Sequence, residues 1–200
     1  SQRWRTLQEG RRIMNTLEAI SQRRSIRRFK DTPISDETII KILSSAIQAP
    51  SGKNKQPWSF IVVKEDKRPE MIRIMRESIA KIKEQGGNTG SSEWTANSME
   101  KAPVTIFVFN PHAENTEDFG HTSNVVDVQS TGAAIQTMLL AAQELGIGSL
   151  WICDVFYAYK ELCEWLGETH EMIAAVSLGY PDESPDARPR KPVDEVTRWL

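Results

Sequence analysis

Apolar residues at Ile13, Met14, Leu17 and Ile20 keep a helical spacing, which predicts a short first helix capped by Asn15 or Thr16. Ser25 to Phe29 reads as extended chain, and Pro33 then interrupts it. Ser35 is placed to cap a second helix with Ile39, Ile40, Leu43, Ala46 and Ile47 on its apolar face, ended by Pro50. Trp58 to Lys64 predicts a strand, and its continuous apolar centre predicts burial on both faces. A third helix, from about Pro69 to Glu84, turns Met71, Ile72, Met75 and Ile79 inward. The run from Gly86 to Ser92 then reads as a mobile lid, with Trp94 and Met99 following it to close over a ligand.

Val104 to Phe109 predicts a second buried strand, and Pro111 to Thr122 an acidic, irregular loop. Asn124 to Leu145 is the most apolar helix of the chain. Val128, Ile135, Leu139 and Ala142 share one face, Ala134, Met138, Ala141 and Leu145 a neighbouring one, and no charge falls between Val128 and Gln143. A helix apolar on more than one face belongs in a large core or in a subunit interface, and this chain length favours the interface. Gly146 stops the helix. The pair Gly146 and Gly148 lacks the third glycine and following helix of a dinucleotide fingerprint. Ser149 to Cys153 reads as a strand, Asp154 opens a helix through Tyr157, Leu162 and Trp165 to Gly167, and Met172 to Leu178 is the fourth strand. A proline-rich tail from Pro181 to Pro192 leads to Val193, Val196, Trp199 and Leu200, apolar residues in want of a partner surface.

Two hundred residues without internal repeats are read as one domain, residues 1–200. The 25 Lys and Arg residues against 27 Asp and Glu leave no general field for nucleic acid or a membrane surface. Cys153 and Cys163 fit neither a redox nor a zinc spacing, and His112, His121 and His170 stand far apart, so no metal site is expected. The expectation is a cytoplasmic protein, since no apolar run spans a membrane and the first residues are not a signal peptide.

Within that balanced charge, Arg23-Arg24-Ser25-Ile26-Arg27-Arg28-Phe29 is a local concentration of cations, suited to a small anion rather than a polyanion. Downstream lies Ala49-Pro50-Ser51-Gly52-Lys53-Asn54-Lys55-Gln56-Pro57-Trp58, a turn of small polar residues that lets backbone approach a flat ligand. The two stretches in this order, followed by Phe60 to Val63, resemble the FMN-dependent nitroreductase family, and the resemblance covers residues 16–200.

That resemblance implies an α+β fold with a largely antiparallel central sheet flanked by helices, and an intertwined homodimer embraced by the tail at 181–200. It implies bound FMN, with NAD(P)H as electron donor and a nitroaromatic, quinone or related conjugated acceptor. Arg23, Arg24, Ser25 and Arg27 match the segment that meets the ribityl phosphate and the pyrimidine edge. Pro50, Ser51, Gly52 and Asn54 match the turn that meets the isoalloxazine, with Pro50 to Gly52 commonly serving the flavin of the other subunit. Leu150, Trp151, Ile152 and Cys153 match the strand passing the ring, and Arg190, with Lys191 second, matches the basic residue closing on the phosphate. No protein nucleophile is implied, because the cofactor carries the hydride. A reductive dehalogenase, a flavin-consuming enzyme and a non-catalytic flavin binder remain alternatives on this scaffold. Against a deiodinase, residues 77–101 hold no tyrosine, and Ala96 stands where that subfamily carries a lid lysine.

Overall fold

The computed structural model describes residues 14–114 and 125–200. At its centre, strands Ser59–Val63 (β1), Val104–Glu114 (β2), Gly148–Ile152 (β3) and His170–Gly179 (β4) form a sheet ordered β1-β2-β4-β3. Every pairing is antiparallel, as an α+β fold of this kind requires. Side chains alternate between its two faces. Phe107, Phe109 and Met172 point into one core, while Ile106, Val108, Val176 and Leu178 point into the other.

Five helices of the described residues cover these faces. Asp36–Ala46 (α2) and Val125–Glu144 (α5) pack on one side, while Arg68–Glu84 (α3), Ser92–Lys101 (α4) and Tyr159–Leu166 (α6) pack on the other. The short Thr16–Gln22 helix (α1) precedes them. Asn15 caps it by a reciprocal capping box with Glu18, so of the two cap residues the sequence allowed, Asn15 is used.

Several expectations need correction. The strand expected at Trp58 to Lys64 is shorter and lies at the sheet edge, bonded only to β2, so most of its residues are half-buried rather than enclosed on both faces. Trp58 lies just outside it and is buried. In α2 the inward residues are Ile39, Ile42 and Ala46, with Leu43 half-buried, whereas Ile40 and Ile47 are exposed. In α1 only Ala19 is buried; Leu17 and Ile20 are exposed, and Ile13 lies outside the described residues. β2 continues through Pro111 to Glu114 where a loop was expected, and the remainder of that loop lies outside the described residues. The helix expected from Asp154 begins as a tight 3₁₀ turn over Asp154–Ala158 and becomes α-helical only at Tyr159.

The long helix α5 divides its apolar surface. Ala134, Ile135, Met138, Leu139 and Ala142 are buried in the core against the sheet, while Val125, Val126 and Val128 remain exposed. Gly146 ends it in a left-handed conformation at φ 72°, and the Ile147 N–H donates back to Ala142 O at 2.8 Å. The chain therefore reverses at once into β3, whose far end carries part of the candidate site.

Candidate functional site

Two glycines set the position of the arginine segment. Ser25 makes a parallel bridge to Ser149, and Phe29 an antiparallel one to Pro181, so residues 25–29 cross the end of the sheet beside β3 and β4. A Cβ on Gly148 would stand 3.0 Å from Ile26, and one on Gly179 would stand 2.7 Å from the Phe29 ring. The bare backbone at both points lets Ile26 and Phe29 lie close against the sheet and become buried. With those two apolar anchors down, the arginines between and before them face a cleft.

That cleft has a volume of about 360 Å³. One wall is Ile20 to Arg27, including Arg23, Arg24, Ser25 and Arg27; the other is tail residues Pro185 to Arg190. Arg188 and Arg190 stand on the tail wall, with Asp186 as the one acid among the lining residues. Burial, then the charge of Arg190, then that of Arg24, hold the Arg23 guanidinium below its usual pKa. The guanidiniums repel one another here, and a bound anion would relieve that repulsion.

A second cleft of about 190 Å³ adjoins it, and Arg27 lines both. Leu150, Trp151, Ile152 and Cys153 form its floor, and Ser91, Trp94 and Thr95 its opposite side. The Arg27 guanidinium stacks over Trp94, 4.9 Å from the ring centroid. Trp94 is 54 % and Trp151 39 % exposed, so both present aromatic surface rather than filling the core. Cys153 is an exposed residue, yet partial burial of its sulfur and the charge of Asp154 both push its thiol pKa up.

The segment expected as a lid, residues 86–100, leads into a helix and is bonded to Asp154. Its second half is α4, and Asp154 Oδ2 accepts hydrogen bonds from Ser91 Oγ at 3.0 Å and Thr95 Oγ1 at 2.5 Å. Met99 does not face a ligand: it is fully buried in the core. Ala96 is fully buried as well, so nothing at that position can present a charged head group to the cleft.

The Pro50 to Asn54 turn lies apart, lining neither cleft. It is braced on α5: the Gly52 N–H donates to Ser130 Oγ at 3.2 Å, and Thr131 Oγ1 donates to Pro57 O at 2.7 Å. A Cβ on Gly52 would fall 2.3 Å from Val126. Lys53, Asn54 and Gln56 all adopt positive φ, near 53°, 54° and 52°. Left-handed backbone costs about 1–2 kcal/mol per L-residue, so this turn holds strain of the kind found at functional sites.

The structure thus brings together nine of the fourteen residues singled out from the sequence: Arg23, Arg24, Ser25, Arg27, the four of β3 and its end, and Arg190, with Leu150 and Ile152 buried in the core. Lys191 lines neither cleft, and the turn stands elsewhere. Arg188, Thr95 and Asp154 were not singled out. Arg188 sits two residues before Arg190 in the same basic run, a signal that was present; the Asp154 contact spans 59 residues and leaves no local trace.

Comparison with known proteins places this architecture. The nitroreductase family model matches residues 20–180. A protein of Archaeoglobus fulgidus named NADH dehydrogenase/NAD(P)H nitroreductase is 36% identical over 176 residues, covering 85% of this chain and 87% of its own. An iodotyrosine deiodinase of Thermotoga neapolitana is 30% identical over 185 residues, covering 88% and 91%. Among solved structures, a nitroreductase of Desulfovibrio desulfuricans in complex with FMN superposes with a TM-score of 0.74 at 30% identity, covering 92% of this chain and 96% of its own. With a matching family model over most of its length and a relative above a third identical, the chain belongs to the nitroreductase family of oxidoreductases.

Proposed function

We propose that this chain is an FMN-dependent oxidoreductase that uses NAD(P)H to reduce a nitroaromatic, quinone or related conjugated acceptor. The observation that carries this reading is that Arg27 lines both clefts, joining a cationic pocket to one walled by aromatic rings. A ligand with a phosphate at one end and a flat ring system at the other suits that pair. FMN has this form, and when bound it supplies the redox centre, taking a hydride from the nicotinamide and passing it to the acceptor.

The chain's own residues have simpler duties. Arg23 and Arg190 face the phosphate across the first cleft, with Arg24 and Arg188 adding charge around it. Each close arginine–phosphate pair is worth on the order of 4 kcal/mol at a surface-like dielectric, before desolvation is subtracted. Arg27 puts a cation at the junction, where it stabilises negative charge developing on the ring edge nearest it. Trp94 and Trp151 offer stacking surface for a flat molecule and exclude water from it. The Pro50 to Asn54 turn, braced on α5 and away from both clefts, is assigned to the flavin of a partner copy, which makes the active form a homodimer. Residues 1–200 act as one domain within it, and Lys191 is retained only as a peripheral cation.

Reductive dehalogenation is the second reading, favoured by the identity to the Thermotoga neapolitana deiodinase. The buried Ala96 and the absence of tyrosine from residues 77–101 weigh against an amino-acid substrate. The test is the visible spectrum of the purified protein, taken anaerobically before and after NADPH, then NADH. Flavin bands that bleach, with electrons passing on to a quinone, support the reductase. Bands that persist leave a flavin binder, and a protein that takes up no FMN refutes the assignment. Iodide release from an iodotyrosine would favour the dehalogenase.

A further inference from the structure

The two walls of the cationic cleft come from opposite ends of the chain, Ile20 to Arg27 and Pro185 to Arg190. What fixes their separation is a short lacing at their common edge. The Lys30 N–H donates to Tyr180 O at 2.9 Å, and the Asp182 N–H donates to Arg28 O at 2.9 Å. One residue on, Glu183 turns its carboxylate back onto the arginine segment. Its Oε1 accepts the backbone N–H of Arg27 at 2.5 Å and of Arg28 at 3.1 Å, while Oε2 lies 3.4 Å from Arg28 Nε.

This arrangement is unusual in its choice of group. A carboxylate sits beside a cleft whose other charges are mostly positive, at a coulombic disadvantage to any anion bound there. Its side chain is largely covered, and both backbone donors it satisfies belong to the wall that carries Arg27. Charge-assisted bonds to adjacent N–H groups are strong and directional, so they set the backbone path at Arg27 more firmly than a neutral partner would.

We infer that Glu183 is a positioning residue: it clamps the tail wall to the arginine wall and so sets the spacing at which Arg23, Arg27 and Arg190 face a phosphate. The inference rests on the flavin reading above for the identity of the ligand, not for the clamp itself. The two effects of Glu183 are separable by substitution. Glu183→Gln keeps an acceptor oxygen for the N–H groups and removes the opposing charge. Glu183→Ala removes both.

The experiment measures FMN and riboflavin affinity by flavin fluorescence, and amide hydrogen exchange at Arg27 and Arg28, in the 200-residue chain. In Glu183→Ala, loss of these bonds should weaken FMN about tenfold and riboflavin far less, since riboflavin lacks the phosphate. Exchange at both amides should quicken about tenfold or more. Glu183→Gln should stay within about threefold of wild type in exchange and bind FMN as tightly or more tightly. Wild-type FMN affinity in Glu183→Ala overturns the inference, as does an equal loss for FMN and riboflavin, which marks general loosening. Should Glu183→Ala fail to fold, Glu183→Asp reads the same quantities, because its carboxylate is one methylene short of reaching both amides. If the wild-type chain binds no FMN, the functional reading falls, and the exchange measurements still decide the clamp.

Discussion

Cys153 and Cys163 show how far a residue's surroundings govern what it can do. Cys163 is buried in α6, and burial with the charges of Glu168 and Glu164 pushes its thiol up to about 11. Cys153 is exposed at the aromatic cleft, yet burial of its sulfur and the neighbouring Asp154 push it up as well. A raised thiol pKa keeps the group protonated at neutral pH and leaves little thiolate to react. Iodoacetamide labelling followed by mass spectrometry should therefore modify Cys153 slowly at about pH 7 and progressively faster up to about pH 9, with Cys163 labelled only on unfolding. Full labelling of Cys153 at neutral pH would reveal an activated thiolate and reopen a redox role for it. At this scale the sequence was informative about chemistry and silent about distance. The arginines could be read as an anion site because guanidinium chemistry is written in the residue type. That Arg27 would stack on Trp94, or that Asp154 would hold Ser91 and Thr95, depends on side chains brought together from distant positions.

At the level of elements, the crossing of residues 25–29 over the sheet end depends on backbone with no side chain beneath it. Gly179 is the tighter contact, with positions for a Cβ at 2.7 Å from Phe29 Cδ1 and 2.8 Å from Pro103 Cδ. Gly179→Ala must displace a ring that is buried, and overpacking of this kind costs about 1–3 kcal/mol, measurable by urea denaturation. The same variant should weaken flavin binding, because Phe29 anchors the segment that carries Arg27; unchanged stability would mean that the segment adapts without strain. Helices with strong periodicity were legible: Met71, Ile72, Met75 and Ile79 of α3 are all buried, joined by Ile74 and Ser78, and Ser35 caps α2 through the Thr38 N–H. The failures share a cause. A continuous apolar run cannot reveal whether a strand lies at the centre or the edge of its sheet, so β1 was read as enclosed when only one side of it is paired. The bonds of Ser91 and Thr95 to Asp154, at the end of the glycine-rich run and in α4, were equally hidden, because composition reports backbone freedom and not side-chain partners.

For the whole molecule, what matters is the apolar surface left uncovered by a single chain. Val125, Val126 and Val128 on α5 are exposed, as are Leu17 and Ile20 on α1 and Val193, Val196, Trp199 and Leu200 in the tail. Exposed apolar residues that cluster mark an association site, and Val125, Val126 and Val128 cluster at the start of α5. That cluster also neighbours the turn assigned above, as a proposal, to a partner's flavin. The Pro50 to Asn54 turn is braced by α5 through Ser130 and Thr131, and Gly52 lies directly against Val126, so the strained turn and the exposed valines form one surface. A second copy docking there would cover the valines and receive the turn beside its own clefts in the same step. The expected solution mass is twice the 22.7 kDa of the chain. Val128→Asp changes a residue that is exposed in the isolated chain, so folding should survive, while a buried charge at the interface should cost several kcal/mol and shift the protein to monomer. Light scattering reads the mass and fluorescence reads bound flavin on the same sample. Loss of the dimer together with loss of flavin is the outcome expected if each site needs both chains. A monomer that still holds FMN at full strength would show that the Arg23, Arg27 and Arg190 cleft suffices alone, and that the turn serves something other than the flavin.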